Sequence, residues 1–342
     1  MNSPQSLPDW AYAYGGAQSQ GRIRTIPDDF IVNEIQAFEL SGSGEHAFIL
    51  IEKCSENTDY VARLLARFAG VRQRDVSYAG LKDRHARTRQ WFSVWLPGKP
   101  DPDWNELNSD TIKVLQATRH SKKLKRGSLA GNQFIIRIRD WEGDTQALEQ
   151  QLQLMKTQGV PNYFGAQRFG REGANIARAI ALFSGEKVSR NQRSIYLSAA
   201  RSYLFNHILS ARVADKSWDQ ALVGDVLMFD NSHSFFKAET LDESILQRVA
   251  QLDAHPTAVL WGTGDSLTSA QVALLEQQVI MQFDDIAKGL CAFGVEQDRR
   301  ALRSHIQELQ WQFIDSSTLE LSFTLNPGCY ATALLREIVQ VK

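Results

Sequence analysis

The segment that decides the fold class lies near the end of the chain and is Trp311-Gln-Phe-Ile-Asp-Ser-Ser-Thr-Leu-Glu-Leu-Ser-Phe-Thr-Leu325. Apolar and polar residues alternate over residues 311–313 and 318–325, on the two sides of the polar triplet 315–317, which is typical of half-buried β-strands. The triplet suits a tight turn, so the segment predicts a β-hairpin in which Trp311 and Phe313 face the apolar residues of 319–325. The leucines and the isoleucine of residues 334–338 predict a short helix after the hairpin.

Short strands are also predicted in the first 140 residues, because apolar residues alternate or cluster there in short runs. These strands cover residues 30–32, 47–51, 90–96, 112–117 and 134–139. One helix interrupts them, with Thr58 as its capping residue and Gly70 placed to end it.

The middle of the chain has a different pattern, since residues 144–307 contain long amphipathic stretches at helical spacing. The predicted helices span residues 148–155, 176–183, 195–213, 245–252 and 272–293. Strand-rich ends around a helix-rich middle predict an α+β protein, in which a sheet domain is closed by the C-terminal hairpin and interrupted by an inserted domain.

Charge is unevenly distributed along the sequence. The whole chain has 38 Lys and Arg against 39 Asp and Glu, a formal net charge of −1. Residues 60–139 hold 17 of the basic residues and 6 of the acidic ones, so this region has a net charge of +11. A basic region on an otherwise acidic protein favours a surface that binds phosphate groups over a random scatter of charge.

Metal, disulfide and nucleotide sites are not predicted. Cys54, Cys291 and Cys329 are far apart, and neither they nor the seven histidines form a ligand cluster. The segment Trp261-Gly-Thr-Gly-Asp265 lacks the third glycine and the Lys-Ser/Thr pair of phosphate-binding loops, so we interpret it as a turn. We therefore expect no metal, no cofactor and no bound nucleotide.

No membrane segment or export signal is predicted from the sequence. Residues 1–16 lack a basic start and an apolar run, and no stretch of about 18 apolar residues occurs in the chain. The expected location is the cytoplasm, with no membrane partner.

The most informative polar segment is Val76-Ser-Tyr-Ala-Gly-Leu-Lys-Asp-Arg-His-Ala-Arg-Thr-Arg-Gln-Trp91. Asp83 stands here beside Lys82 and three arginines, and nearby positive charge favours an ionised carboxylate. An ionised carboxylate can act as a nucleophile or as a base. The alternative is a surface aspartate that only neutralises its basic neighbours, and the segment alone favours neither interpretation.

A second segment, residues 119–139, has seven Lys and Arg and no acidic residue. We call its first part, residues 119–126, the basic arm; its cations are Arg119, Lys122, Lys123, Lys125 and Arg126. Such an arm can bind nucleic-acid phosphates, although a charge run is more often a solvated surface. Gly127, Gly131, Asn132 and Phe134 follow the arm, and this mixture permits the backbone to approach a base or a sugar closely. The alternative for Phe134 is a core position, since an aromatic residue inside a strand is more often part of the core.

Two aromatic residues lie in further polar segments. Phe30 follows Pro27-Asp-Asp and is either a core residue of a strand or a ring on which an unpaired base stacks. Tyr330 precedes the last predicted helix, where backbone NH groups and the phenol suit an anionic or carbonyl-bearing ligand.

Together these segments resemble the TruD family of tRNA pseudouridine synthases, with matches along almost the whole chain. The matching motifs are Pro27-Asp-Asp-Phe30, residues 80–85 (GLKDRH), Lys123-Leu-Lys-Arg-Gly127 with Gly131-Asn132, residues 159–170 (GVPNYFGAQRFG), residues 197–202 (LSAARS) and residues 327–332 (PGCYAT). The stretch 162–170 is the most diagnostic of them.

The resemblance implies an isomerase that converts uridine 13 of tRNA to pseudouridine with no cofactor and no energy source. It also implies a pseudouridine-synthase catalytic domain with a mixed, mainly antiparallel sheet, and an inserted, helix-rich α/β TRUD domain. We expect the catalytic domain at residues 1–157 and 308–342 and the inserted domain at residues 158–307. The expected partner is tRNA, and the expected oligomeric state is a monomer.

The same resemblance implies roles for individual residues. Asp83 corresponds to the catalytic aspartate of the family motif Gly-x-Lys-Asp, while Phe30, Asn132 and Tyr330 match positions that line the uridine pocket. Arg24 stands where family members commonly have Lys, and we expect it to form a salt bridge that orients Asp83. At the position of Tyr330, family members often have Phe, so the aromatic ring is present with either residue.

Lys82 and Phe134 are expected as further substrate contacts, and the basic arm is expected to contact the RNA backbone. Gln167 and Arg168 are expected either near the catalytic cleft or at a junction that only positions the two domains. The carboxylate of Asp83 could attack C1′, attack C6 or remove the 2′ proton of a flipped-out uridine.

Two other functions compete with this interpretation. A catalytically silent tRNA-binding protein would use the same basic region, but the intact Gly-x-Lys-Asp motif argues against it. A metal-dependent nuclease would need several clustered carboxylates, which the basic region lacks.

Overall fold

The computed structural model describes residues 6–342, which form two compact units. The sheet unit comprises Ser19–Asp144, Ile306–Gly328 and Gln340–Lys342. The helical unit comprises residues 6–18, Thr145–His305 and Cys329–Val339. The internal part of the helical unit thus spans residues 145–305, whereas the inserted domain expected from the sequence spans residues 158–307. Residues 6–18 and 329–339, expected in the catalytic domain, also belong to the helical unit.

The secondary structure elements are numbered in chain order. The strands are β1 (Gln20–Arg22), β2 (Phe30–Gln36), β3 (His46–Cys54), β4 (Val76–Tyr78), β5 (Arg87–Trp95), β6 (Ile112–His120), β7 (Leu129–Glu142), β8 (Val160–Pro161), β9 (Asp225–Phe229), β10 (Phe235–Ala238), β11 (Ala254–Leu260), β12 (Asp298–Ala301), β13 (Arg303–Ser304), β14 (Ile306–Asp315), β15 (Thr318–Leu325) and β16 (Gln340–Val341). The helices are α1 (Thr58–Phe68), α2 (Thr145–Gln158), α3 (Ala174–Phe183), α4 (Arg190–Ala214), α5 (Glu243–Ala250), α6 (Ala270–Met281), α7 (Asp284–Ala292) and α8 (Ala331–Ile338).

The sheet unit is built on one sheet whose main strand order is β14-β15-β7-β2-β5-β3-β6. β2 pairs with β5 in parallel, and the other neighbours in this order are antiparallel. The predicted C-terminal hairpin is β14 and β15, with Trp311 opposite Leu321 and Phe313 opposite Leu319. The expected α+β fold with a mixed, mainly antiparallel sheet is confirmed.

One face of this sheet is covered by α1, whose apolar residues recur at helical spacing. Val61 and Leu65 belong to the same buried cluster as Phe92 of β5. The helix begins at Thr58, but Asn57 occupies the capping position, so the capping role expected for Thr58 is wrong. The Thr58 hydroxyl is bonded instead to the polar loop that follows β4.

The helical unit has its buried core around α4, and its larger sheet has the antiparallel order β10-β9-β11-β12. The single helix expected over residues 272–293 is wrong, because the backbone leaves the helical region at Phe283 (φ −126°, ψ 40°). Asp284 and Asp285 then occupy the first turn of α7, where acidic side chains favour a helix start. Within residues 6–342, every helix is too short or too polar to span a bilayer.

Candidate active site

The polar loop between β4 and β5, residues 79–86, presents Asp83 at the surface of the sheet unit. Arg24 approaches from the segment between β1 and β2, and its Nη2 donates to Oδ2 of Asp83 at 2.9 Å. The two side chains are 34% and 49% exposed, respectively. The expected salt bridge is therefore present, and its carboxylate is accessible from solvent.

Arg24 is held by its backbone conformation and by an aromatic ring. Its φ of 58° is left-handed, which is uncommon for a residue other than glycine. Its guanidinium lies 4.1 Å from the centroid of the Phe30 ring, in a cation–π contact. Phe30 is only 2% exposed and meets Phe134 edge to face, with 6.2 Å between the ring centroids. Both phenylalanines are thus buried in the sheet unit, and Arg24 lies between the Phe30 ring and Asp83.

Buried hydrogen bonds fix the loop that carries Asp83. Nε2 of Gln90 donates to the carbonyl oxygen of Gly80 at 3.1 Å. The backbone N–H of Lys82 donates to Oγ1 of Thr58 at 3.0 Å, and that hydroxyl donates to Oε1 of Gln90 at 2.9 Å. Because Thr58 and Gln90 are buried, these bonds are shielded from competition with water.

Lys82 anchors the same loop through a buried ion pair. Its Nζ lies 2.7 Å from Oε2 of Glu34, and the two side chains are 6% and 2% exposed. The other Glu34 oxygen accepts from the backbone N–H of Trp91 at 3.2 Å. Lys82, expected as a substrate contact, is engaged here in supporting the loop.

Asn132 lies directly opposite Glu34 where β7 pairs with β2. Residues paired in this way share a face of the sheet. The Oδ1 atom of Asn132 is buried and has no hydrogen-bond partner among residues 6–342. Since buried acceptors are almost always satisfied, this atom is available to a bound group.

Arg87 and Arg89, at the start of β5, are paired with carboxylates other than Asp83, while Nε of Arg84 donates to the carbonyl oxygen of Ser55. Arg87 binds Asp28 at 2.6 Å and Glu52 at 2.8 Å, and Arg89 binds the second oxygen of Glu52 at 2.8 Å. The hydrogen bond from Arg87 holds the pKa of Asp28 below its usual range. Arg87 and Arg89 thus bind acidic residues other than Asp83, rather than gathering around it.

The basic arm comprises the last two residues of β6 and most of the loop that leads to β7, and it adjoins the start of the Asp83 loop. Leu124, at 2% exposure, anchors the arm in a buried cluster with Trp91 and Ala79. The backbone N–H of Gly127, directly after the arm, donates to the carbonyl oxygen of Ala79 at 2.8 Å.

Three cations of the basic arm are bound within the protein. The side chain of Arg119 is 17% exposed and binds Asp101 together with three backbone carbonyl groups. Lys123 donates to the carbonyl oxygen of Arg74 at 3.1 Å, and Arg126 lies over a tyrosine ring at 5.3 Å. Their interactions stabilise the arm itself.

Lys122 and Lys125 differ from the other cations of the basic arm. Both are exposed, and neither has an ion-pair partner within the described part of the chain. These two ammonium groups are therefore the most available to an anionic ligand.

Tyr330 lies in the helical unit, where the motif of residues 162–170 positions it. Its hydroxyl accepts from Nε and Nη2 of Arg168 at 3.1 and 2.7 Å, and Nη1 of Arg168 donates to Oγ of Ser198 at 3.1 Å. Phe164 meets the Tyr330 ring edge to face at 6.0 Å, and Arg300 lies over Phe164 at 4.0 Å. The structure thus gives Arg168 a specific contact, with the phenol of Tyr330.

The expected site residues are distributed over both units. The sheet unit contains Arg24, Phe30, Lys82, Asp83, Asn132 and Phe134, together with the basic arm. The helical unit contains Tyr330. Within residues 6–342, no group of three or more His, Cys, Asp or Glu side chains could hold a metal ion.

Glu34 and Gln90 support the Asp83 loop as described above, and Nζ of Lys53 donates to the carbonyl oxygen of Asp83; none of the three was expected as a site residue from the sequence. Each is a polar residue whose side chain is buried within a strand of the sheet. Buried polar groups are retained only where they have partners. For Glu34 and Lys53, a charged residue among the apolar residues of β2 and β3 is the signal that could have identified them.

Comparison with known proteins gives consistent results over nearly the full chain. A family model described as tRNA pseudouridine synthase D (TruD) matches residues 10–181 and 173–338. The tRNA pseudouridine synthase D of Methylococcus capsulatus is 50% identical over 334 residues, which cover 97% of this chain and 94% of the relative. The protein of the same name from Pseudomonas fluorescens is 47% identical over 331 residues, which cover 96% and 94%.

A solved structure has the same fold. The crystal structure of a Methanosarcina mazei protein assigned as tRNA pseudouridine synthase D (TruD) matches with a TM-score of 0.73. The sequence identity is 23%, and the match covers 98% of each chain.

Proposed function

The chain belongs to the TruD family of tRNA pseudouridine synthases, and on that premise we propose that it isomerises uridine 13 of tRNA to pseudouridine with the Asp83 carboxylate as the catalytic group. Pseudouridine synthases are isomerases. In this reaction the bond between N1 and C1′ breaks, and a bond between C5 and C1′ forms. The C5 proton is released to solvent and N1 takes up a proton, so the atoms balance without a cofactor.

The observation that carries this proposal is the ion pair between Asp83 and Arg24, with 2.9 Å between its atoms. The guanidinium orients the carboxylate, and the 49% exposure of Asp83 leaves it accessible to a flipped-out nucleotide. The carboxylate acts by attack on C1′, by attack on C6 or by removal of the 2′ proton. In each route a fixed carboxylate must stay close to the sugar or the base.

We propose Phe30, Asn132 and Tyr330 as uridine-binding residues, as the family resemblance implies. The unpartnered Oδ1 of Asn132 suits the N3–H group of uracil, which is a hydrogen-bond donor. Tyr330 is the ring proposed to stack on the base, while Phe30 acts through Arg24, which covers it. Lys82 and Phe134 are proposed to support the pocket rather than contact the base, since both are buried.

The sheet unit is proposed as the catalytic domain, because it contains Asp83 and Arg24. The internal part of the helical unit, Thr145–His305, is proposed as the inserted TRUD domain. The proposed substrate places the activity in the cytoplasm. The protein is proposed to act as a monomer, which size-exclusion chromatography with light scattering tests directly.

The deciding experiment uses a tRNA transcript that contains uridine tritiated at C5. Purified protein is expected to release one tritium per tRNA, and a matched transcript with cytidine at position 13 is expected to release none. Equal release from both transcripts would contradict the assignment to position 13. Tight binding of tRNA without any release would contradict the isomerase and support the silent tRNA-binding protein instead.

A further inference from the structure

A buried lysine lies directly beneath the main chain of Asp83. Lys53, the penultimate residue of β3, has no exposed surface. Its Nζ donates to the carbonyl oxygen of Asp83 at 3.0 Å and to the carbonyl oxygen of Glu56 at 2.7 Å. The ammonium group thus links the end of β3 to the residue that carries the exposed carboxylate.

The burial of an ammonium group is costly unless hydrogen bonds compensate for lost hydration. Ile49 and Ile51 point to the same face of β3 as Lys53, since side chains alternate along a strand, and both are fully buried. An apolar residue at position 53 would continue that core at a lower desolvation cost. The polar residue at this position therefore indicates a requirement beyond packing.

We propose that Lys53 is a positioning residue, whose ammonium group holds the Asp83 main chain in the orientation that presents the carboxylate to the substrate. This inference rests on the proposed function of Asp83. Other parts of the loop are held by Thr58, Gln90 and the pair of Lys82 with Glu34. Lys53 adds the contact to the main chain of Asp83 itself.

The charge of Lys53 depends on pH in an accessible range. Burial lowers the pKa of its ammonium group to about 8, opposed by the carboxylate of Asp83. Lys82 lowers this pKa further, whereas Glu56 and Cys54 raise it. Lys53 is thus protonated at neutral pH and loses its charge, and with it the charge-assisted hydrogen bonds, as the pH rises through about 8.

The experiment compares the wild type, Lys53→Met, Lys53→Arg and a control, Lys113→Met, in single-turnover tritium release. Lys113 is an exposed residue of the neighbouring strand β6, so its replacement tests the same substitution outside the buried site. At neutral pH we expect Lys53→Met to reduce the rate at least about tenfold, because small displacements of a reacting group are costly. Its Kd for tRNA should stay within about twofold of wild type, and Lys113→Met should match wild type in both.

The pH dependence of the single-turnover rate is a second measurement. A purely structural role of Lys53 would not make this rate depend on the protonation of its ammonium group. The wild-type rate is expected to fall above about pH 8, and Lys53→Arg should keep its rate there because a guanidinium stays charged. A wild-type rate that is constant up to about pH 9.5 would overturn the proposal whether or not the variants fold. A fall that persists unchanged in Lys53→Arg would overturn it too, since the titrating group would then lie elsewhere.

The two proposals fail in different ways. If the wild-type protein releases no tritium, the proposed isomerase function of Asp83 fails. If the wild type is active and Lys53→Met is equally active, only the role of Lys53 fails.

Discussion

Nη2 of Arg24 lies 2.9 Å from Oδ2 of Asp83, although 59 residues separate the two in the sequence. The same guanidinium lies 4.1 Å from the centroid of the Phe30 ring, which is itself buried. A rigid ring on one side and a carboxylate on the other restrict the position of Arg24. The orientation of Asp83 thereby depends on the core of the sheet unit.

We expect Arg24→Ala to lower the single-turnover rate at least about tenfold, because the carboxylate loses the group that orients it. Arg24→Lys should keep much of the activity, since a cation remains, although the fork of the guanidinium is lost. The affinity for tRNA, measured by filter binding, should stay within a few-fold of wild type. The control is Arg22→Ala, because Arg22 is an exposed arginine two residues away that pairs with Asp140. Equal loss in both alanine variants would show that the effect is not specific to Asp83.

For Asp83→Asn we expect isomerisation to fall at least about a hundredfold, because the amide keeps the shape but cannot act as a nucleophile or a base. The measurement is tritium release under single-turnover conditions, with tRNA affinity measured in parallel. Asp110→Asn makes the same change at an exposed position of the sheet unit and should leave the rate unchanged. Turnover of the Asp83 variant at the wild-type rate would remove Asp83 from the mechanism.

The sequence was sufficient to predict the hairpin of β14 and β15, because alternation and a polar turn are local signals. The break at Phe283 was not predictable in the same way, since apolar residues continue at helical spacing on both sides of it. The ring of Phe283 packs 5.4 Å from Tyr203 and 4.2 Å from His207 on α4. The break between α6 and α7 thus occurs where Phe283 packs against α4, and this tertiary contact cannot be recognised from local helix propensity.

In the candidate site, too, one ion pair was predictable from the sequence and another was not. Motif resemblance was sufficient to predict the pairing of Arg24 with Asp83. The buried pair of Lys82 and Glu34 joins residues 48 apart, and its formation depends on which strands become neighbours. Pairing of this kind is specified by the sheet order, so the sequence around Lys82 gave no indication of it.

Tyr330 allows the contribution of its ring to be separated from that of its hydroxyl. Tyr330→Phe removes the acceptor of two Arg168 hydrogen bonds but keeps the ring, so we expect kcat/KM within about threefold of wild type. Tyr330→Ala removes the proposed stacking surface and should reduce kcat/KM at least about tenfold. Tyr60→Ala, at an exposed position of α1, is the control and should have no effect. Equal activity of the Phe and Ala variants would exclude stacking on Tyr330.

His207 should make the helical unit sensitive to acid. Burial lowers its pKa from 6.5 to about 4, so the unfolded chain takes up a proton in this range while the folded protein does not. The free energy of unfolding is therefore highest above pH 6.5 and decreases as the pH falls towards 4. His207 contributes at most about 3 kcal/mol to this decrease. The ring of His207 contacts those of Trp10, Tyr203 and Phe283, so His207→Phe keeps an aromatic group in place.

Urea unfolding at about pH 7 and about pH 4.5 measures this contribution. The free energy of unfolding should depend less on pH in His207→Phe than in the wild type. His233→Gln changes an exposed histidine and should keep the wild-type pH dependence. An identical pH dependence in the wild type and His207→Phe would show that His207 is not responsible.

Lys122 and Lys125 are the cations of the basic arm that we expect to bind tRNA phosphates, because they are exposed and lack an ion-pair partner among the residues described. Each lost phosphate contact lowers the slope of log affinity against log salt by roughly 0.7 to 0.9. Changing both residues to Gln should therefore weaken binding of different tRNAs alike and lower the slope by up to about 1.8. The single-turnover rate at saturating tRNA should stay near wild type.

Arg119→Gln is the matched comparison within the same arm. Since its guanidinium binds Asp101 and three carbonyl groups, this change should lower the free energy of unfolding by about 1 to 3 kcal/mol and leave the salt slope unchanged. Adding Lys123→Gln to the double variant removes the hydrogen bond to the Arg74 carbonyl group as well. If the slope stays the same in the double and triple variants, the arm faces solvent in the complex. The phosphates would then have to be bound elsewhere on the sheet unit, where Arg63, Arg67, Arg72 and Arg74 provide the nearest basic group in the sequence.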